Sequence, residues 1–544
     1  MPDSVTVIRA KAFWGCGNLV SIRLSSRIAR MEAETFRFCR ALTDITLPAS
    51  LVYLGARAFE DCKKLKTAFL SCGIAYLEEY TFFNCPLLES VTLPDTLSHI
   101  ERSAFDGCAA LKTVDLPVSL QEVGSFAFAR CRSLTAITGG GGLKIIRDRA
   151  FFECNALRSI PLCDGITEIG GSAFEGCSSL ESISLPASVS ELGDQLFKDC
   201  AALTAVTLAC RLEELGQGIF SGCVSLTSII LQNVRIIGTN AFRNCKKLIQ
   251  VRLSDSLREL KKGAFANCSR LEELRLPDSL TKIGQEALAG CSALKQIEIP
   301  VGVTELGIGM LEDCTALESA IFHCSADIPA YALCRCSALR ELRLSDTVAS
   351  MGASALEDCV SLTDFTLPAA VTEIPERLLA GCSSLKQFSM AGVTDIGANA
   401  FSFCSVLSEL TLPEGLTIIP WGLLLGCSSL RSLRIPRSVI KIEAGAFSGC
   451  ESLEAIDLGD GIREIKWCAF EGCSALESIT LPSALTLLDR RLFYGCAALK
   501  SIRVPASVRE IRDEAFAACA ALTQATLPAA EVTLGKDVFA GCPL

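Results

Sequence analysis

The chain repeats one pattern of apolar and polar positions from end to end. A clean copy is SSLESISLPASVSELGDQLFKDC, residues 178–200. Leu180, Ile183 and Leu185 make an L-x-x-I-x-L skeleton, and Ile183 and Leu185 alternate with Ser182 and Ser184. Alternation with period two predicts a strand buried on one face. Pro186 ends that strand, because it brings no N–H to a ladder. Val189 and Leu192 turn inward again, and Gly193 is expected to relax the backbone before the next corner. Phe197 and Cys200 close the unit from the far side of its core.

The period is fixed by cysteine. Of 30 cysteines, 24 fall on one lattice, running from Cys16 and Cys39 through Cys177 and Cys200 to Cys519 and Cys542. The step is 23 residues except at Cys223–Cys245, Cys314–Cys336 and Cys382–Cys404, where it is 22. All three short steps lose their residue at the corner just after the strand, which marks that corner as the tolerant, solvent-facing one. Gly139–Gly142 replaces the proline turn at the same corner. One such unit cannot bury its apolar face alone, but stacked copies can. The expectation is a solenoid of about 24 stacked 23-residue turns, one continuous domain over 1–544. At about 4.8 Å per turn it would run about 110 Å. The strands would form one long parallel β-sheet, with short strands, turns or 3-10 segments on the other faces.

The buried columns can be read directly. Eighteen turns carry Phe three residues before the lattice cysteine, and six carry leucine: Leu288, Leu311, Leu333, Leu356, Leu379 and Leu424. Five of those six are consecutive, so the wall is expected either to narrow and change curvature there or simply to vary as cores do.

The repeat L-x-x-I-x-L-P-x-S-V-x-x-I-G-x-x-A-F-x-x-C is carried by Leu88-Glu89-Ser90-Val91-Thr92-Leu93-Pro94 and by Ile169-Gly170-Gly171-Ser172-Ala173-Phe174-Glu175-Gly176-Cys177. It resembles the BspA-like leucine-rich repeats of bacterial and protist surface proteins, from Val5 to Cys542. The resemblance implies a leucine-rich-repeat solenoid serving as a surface-displayed or secreted adhesion module for proteins, host-surface or extracellular-matrix proteins among them. It implies no catalytic residues. Met1-Pro2-Asp3-Ser4 shows neither a basic n-region nor an apolar h-region, so no signal peptide is read there. The chain starts inside a repeat and stops just after Cys542, which leads to the expectation of missing terminal caps and of a fragment or associating ends. An intracellular interaction scaffold in the cytoplasm, or the recognition arm of a larger protein, are the alternatives.

Composition narrows the chemistry. Net charge is −10 with no basic stripe, so nucleic acid is not an expected partner. No apolar run reaches the roughly 18 residues that span a bilayer, so no membrane insertion is expected. Zinc needs close cysteine pairs, whereas these thiols come one per turn and read as buried free thiols, with poor geometry for disulfides. Six cysteines lie off the lattice, and Cys334-Arg335-Cys336 is the only close pair. The two histidines, His99 and His323, are about ten turns apart, which leaves almost no material for a catalytic triad. Gly139–Gly142 leads into a strand and cradles no phosphate. Glu168, Glu191 and Glu214 share one slot in three consecutive turns, where a calcium ion or neighbouring basic residues could relieve their repulsion. The reading is therefore no catalytic residue, no cofactor and no metal.

What remains is a binding surface. Tyr53, Tyr76 and His99 occupy that same slot 23 residues apart and are expected to stack as an exposed aromatic column. Phe69 adds an aromatic on the open strand face, where most turns carry Ser, Thr or a charge. Clustered exposed aromatics are the material of binding hot spots, although cross-strand packing alone would also use them. Elsewhere that face is small and polar, with Thr46, Thr92, Ser184 and Thr207 beside Arg252, Arg275 and Arg434. Such a surface suits broad, multivalent contact.

Overall fold

Each turn of the chain makes three straight runs, and each run bonds to its counterpart one repeat away. The structure is a computed structural model describing residues 1–544, in two units, Met1–Ser279 and Leu280–Leu544. Each unit is a parallel β-solenoid, and no segment is helical.

The predicted strand forms the first run. In the first unit Ser182–Leu185 pairs in parallel with Ala205–Leu208, Ser182 opposite Ala205 and Leu185 opposite Leu208. In the second, Gln296–Ile299 pairs with Ser319–Phe322. The register offset equals the repeat length, so like residues lie over like. Ile183 and Leu185 are buried while Ser182 and Ser184 are exposed, as the alternation requires.

A second ladder runs beside the first, and realises the short strands expected on another face. It consists of two-residue strands such as His99–Ile100, Glu122–Val123, Ile145–Ile146, Glu168–Ile169 and Glu191–Leu192, all parallel. Only two residues per turn alternate here, too few for a periodicity to register. The proline corner joins the two ladders, and its serine latches the turns together. Ser50 Oγ donates to the carbonyls of Ser26 and Ile28 at 2.8 and 2.7 Å, and Ser438 does the same to Glu414 and Leu416 at 2.6 and 2.7 Å.

The third run holds the lattice cysteine. Arg149, Phe151 and Glu153 donate their backbone N–H groups to Gly171, Ala173 and Glu175 of the next turn at 2.8–2.9 Å. The alternate residues Phe152 and Cys154 bond within the turn, to Arg149 and Phe151. This alternation needs left-handed backbone at Arg149 and Glu153, both with φ 55°, and the strain recurs at the same two places in most turns. Left-handed residues every fourth position prevent helix from propagating, hence turns rather than 3-10 segments.

Gly193 has another role than the expected relaxation of the chain. A Cβ there would lie 2.1 Å from the backbone nitrogen of Gly171 and 2.4 Å from its Cα. The glycine lets one turn settle against the one before it.

Two columns fill the interior. In the first unit the phenylalanine rings stack from Phe13 to Phe265, with centroids 4.9–5.7 Å apart and planes within 18°. In the second unit leucine occupies this column from Leu288 to Leu379, and Phe322, Phe365 and Phe388 bring aromatic volume from the strand wall instead. The other column is cysteine. Each thiol donates to the carbonyl of the residue three before the previous lattice cysteine: Cys154 to Phe128 at 3.0 Å, Cys177 to Phe151 at 3.2 Å, Cys450 to Leu424 at 3.3 Å. By spacing and apolar surroundings these thiols read as small hydrophobes. They are also the donors that tie the third run of one turn to that of the next.

Candidate binding surfaces

The predicted aromatic column lies on the second ladder, carried by Tyr53–Leu54, Tyr76–Leu77 and His99–Ile100, whose second residues are buried. Tyr76 and His99 are register partners with rings stacked 4.8 Å apart and 13° from parallel. Tyr53 does not continue the stack. It pairs with Arg30, whose guanidinium sits 3.9 Å over the ring, and the ladder is interrupted between Tyr53–Leu54 and Tyr76–Leu77. The column is therefore two pairs. Phe69 stands apart on the first ladder between Thr46 and Thr92, and is 46% exposed. Carboxylates flank the Tyr76–His99 stack. Burial pushes the Glu78 carboxyl up, reinforced by Glu101 and Glu79, and burial also raises Glu101 against the opposing pull of His99.

Basic side chains relieve two of the three glutamates of the slot, Glu168 and Glu214. Arg147 bridges Glu122 at 2.8 Å and Glu168 at 2.9 Å, and Lys261 meets Glu214 at 2.6 Å. No group of three or more His, Cys, Asp and Glu side chains is arranged to hold a metal ion. His99 and His323 belong to different units, and His323 lies 3.4 Å from Glu298. All 30 cysteines are free thiols. In the close pair, Cys336 bonds the Leu311 carbonyl at 3.2 Å while Arg335 approaches the Cys334 sulfur at 3.4 Å, so the two thiols do not converge on one point.

A richer surface lies on the third run, where no periodic signal had drawn attention. Of 27 Phe, 3 Trp and 5 Tyr, 18 Phe form the core column and three more line the strand wall. Eleven of the remaining fourteen fall within the six residues before a lattice cysteine. In the first unit these are Trp14, Phe38, Tyr80, Phe83, Phe126 and Phe152; in the second, Tyr331, Phe403, Trp421, Trp467 and Tyr494. Counting non-core aromatics by their offset from the nearest lattice cysteine would have found this from the sequence.

Arginine interleaves with those rings. Arg57 lies 4.3 Å over Tyr80, Arg37 4.7 Å over Phe38, and Arg149 5.5 Å over Phe126 and 5.9 Å over Phe152. Trp14 meets Phe38, and Tyr80 meets Phe83, edge to face. Arg37 and Arg57 both bond the buried Glu60, at 2.8 and 2.9 Å. Arg130 grips the buried Asp106 with both carboxylate oxygens at 2.8 Å. Burial nonetheless raises the Asp106 carboxyl, against the Arg130 contact that lowers it. Two adjoining depressions of about 290 and 320 Å³ open here, sharing Phe83, Asp106 and Arg130.

The second unit has a broader groove of about 660 Å³ on its first ladder. Asp364, Gln387 and Glu409 rim it together with Thr366, Ser389 and Thr411, over the nearly buried Phe365 and Phe388. It opens where the segment at 363–367 makes no strand.

A family profile described as "BspA type Leucine rich repeat region (6 copies)" matches residues 1–112, 75–204, 213–332, 324–427 and 417–544. No curated protein matches the sequence. Among solved structures, a leucine-rich repeat protein from Bacteroides ovatus is 26% identical, with TM-score 0.51, over 78% of this chain and 92% of that one. One from Eubacterium ventriosum is 20% identical with TM-score 0.37, over 65% and 86%. A leucine rich cell surface protein from Faecalibacterium prausnitzii is 20% identical with TM-score 0.26, over 79% and 83%.

Proposed function

The chain belongs to the BspA-type leucine-rich repeat family, and from that premise we propose that it is a non-catalytic binding module for other proteins, displayed at a cell surface or secreted, with adhesion as its role. Leucine-rich repeat solenoids are typical protein-interaction modules. The observation that carries the reading here is the stack of exposed Tyr76 on half-exposed His99, held in register by the second ladder beside half-buried carboxylates. A preformed aromatic pair offers contact area with little side-chain entropy left to lose on binding. Tyr53 with Arg30, and Phe69 on the neighbouring ladder, would widen the contact zone. Extracellular-matrix or host-surface proteins are the proposed partners.

Pull-down mass spectrometry with the purified chain, from matrix and cytosolic extracts in parallel, tests this. Matrix proteins enriched by the chain and lost with Tyr53→Ala/Tyr76→Ala are the expected result. Cytosolic partners alone would replace adhesion with an intracellular scaffold role, and unchanged capture by the variant would remove the aromatic pairs from the binding surface.

A further inference from the structure

The depression on the third run of the first unit has the composition of a pocket made for one kind of guest. Tyr80, Phe83, Phe126 and Phe152 wall a space of about 290 Å³ together with Arg102 and the Arg130–Asp106 pair. Such a volume suits one large side chain rather than a free-standing metabolite. Its aromatic walls are already fixed. Phe83 is held edge-on by Tyr80, and the guanidinium of Arg149 lies against both Phe126 and Phe152.

The charge is what selects the guest. Arg130 is occupied by Asp106. Arg102 is exposed, lines the same space, and has neither a carboxylate nor a hydrogen-bond acceptor in contact with it. Arg149 and Arg40 likewise touch rings on this side of the unit and meet no carboxylate. Elsewhere on the same side arginine is paired, as Arg37 and Arg57 are with Glu60. Planar guanidinium groups left free above aromatic walls match carboxylates carried beside an apolar side chain.

We infer that this pocket receives an acidic segment of a partner protein, one large apolar or aromatic side chain seated among the four rings and an adjacent Asp or Glu carboxylate bonded to Arg102. This rests on the reading of the chain as a protein-binding module, but places a contact on the run opposite the open ladder face. Free arginines at Arg40 and Arg149 extend the same preference along neighbouring turns.

The probe is a fluorescein-labelled synthetic nonapeptide alternating Glu and Phe, compared with its Gln-for-Glu counterpart by fluorescence anisotropy on the full chain. The acidic peptide should bind, the Gln peptide should bind about tenfold or more weakly, and Arg102→Gln should weaken the acidic peptide by about as much. Tyr76→Ala should leave this binding unchanged, so failure here and failure of the second-ladder surface are read separately. Unaltered circular dichroism of Arg102→Gln confirms folding, and Phe83→Ala, retaining every charge, should also weaken the peptide. Equal binding of both peptides, or indifference to Arg102→Gln, would overturn the proposal. So would neutral oligosaccharides competing the peptide off, or light scattering showing that Arg102 joins two copies of the chain.

Discussion

Eight consecutive lattice thiols of the first unit, Cys62 to Cys223, make the protein sensitive to alkali in a way that can be worked out beforehand. Burial is the leading cause that pushes each of them up, with thiols in adjacent turns adding repulsion for most. Cys177 is pushed up to about 12 from an ordinary value near 9. A raised folded value means that the stability is intact below pH 9 and is lost as pH climbs from 9 toward 12, because only the unfolded chain releases the protons. At pH 10 each such thiol favours unfolding by about 1.4 kcal/mol. Eight together amount to about 11 kcal/mol, against the roughly 5–15 kcal/mol that holds an ordinary domain. The assay is a pH titration in the presence of a reductant, following β-sheet ellipticity and thiolate absorbance at 240 nm on the same sample. Both should change together, steeply, near pH 10. A gradual rise in thiolate absorbance around pH 9 with the ellipticity intact would refute the reasoning, since it would mean that the thiols reach water in the folded state.

Two further perturbations probe the other stacking devices. Phe151 is fully buried, with its ring stacked between Phe128 and Phe174 at 5.4 Å on each side; Phe151→Ala should cost about 3–5 kcal/mol. Because turns contact chiefly their neighbours, hydrogen exchange should quicken within a turn or two of Phe151 and stay unchanged near Phe470, whereas Phe151→Leu should be mild. Gly193→Ala places a methyl against the Gly171 backbone and should cost about 1–3 kcal/mol, read as a lowered thermal midpoint; an unchanged midpoint would mean that adjacent turns can part there freely.

Much of this architecture was legible because the signal was repeated. A 23-residue period, inward Ile183 and Leu185, and one phenylalanine or leucine with one cysteine per turn all follow from counting. The aromatic column was half legible. Equal spacing placed Tyr53, Tyr76 and His99 in one slot, yet only the latter two stack, because the ladder is interrupted before Tyr76 and Tyr53 turns to Arg30. The Arg–aromatic surface escaped because its members sit at different offsets, Phe126 five and Phe152 two residues before their cysteines.

By itself, then, the sequence determined the repeat, the stacking direction and the inward residues, since burial of an apolar face by identical copies leaves little choice of partner. Only the tertiary structure decided the backbone path between those residues. The left-handed bends at Arg149 and Glu153, the close approach at Gly193 and the thiol donated to the previous turn's carbonyl depend on how one turn rests on the next. That path also brings Arg102 and Phe152, fifty residues apart in the chain, to the wall of one pocket.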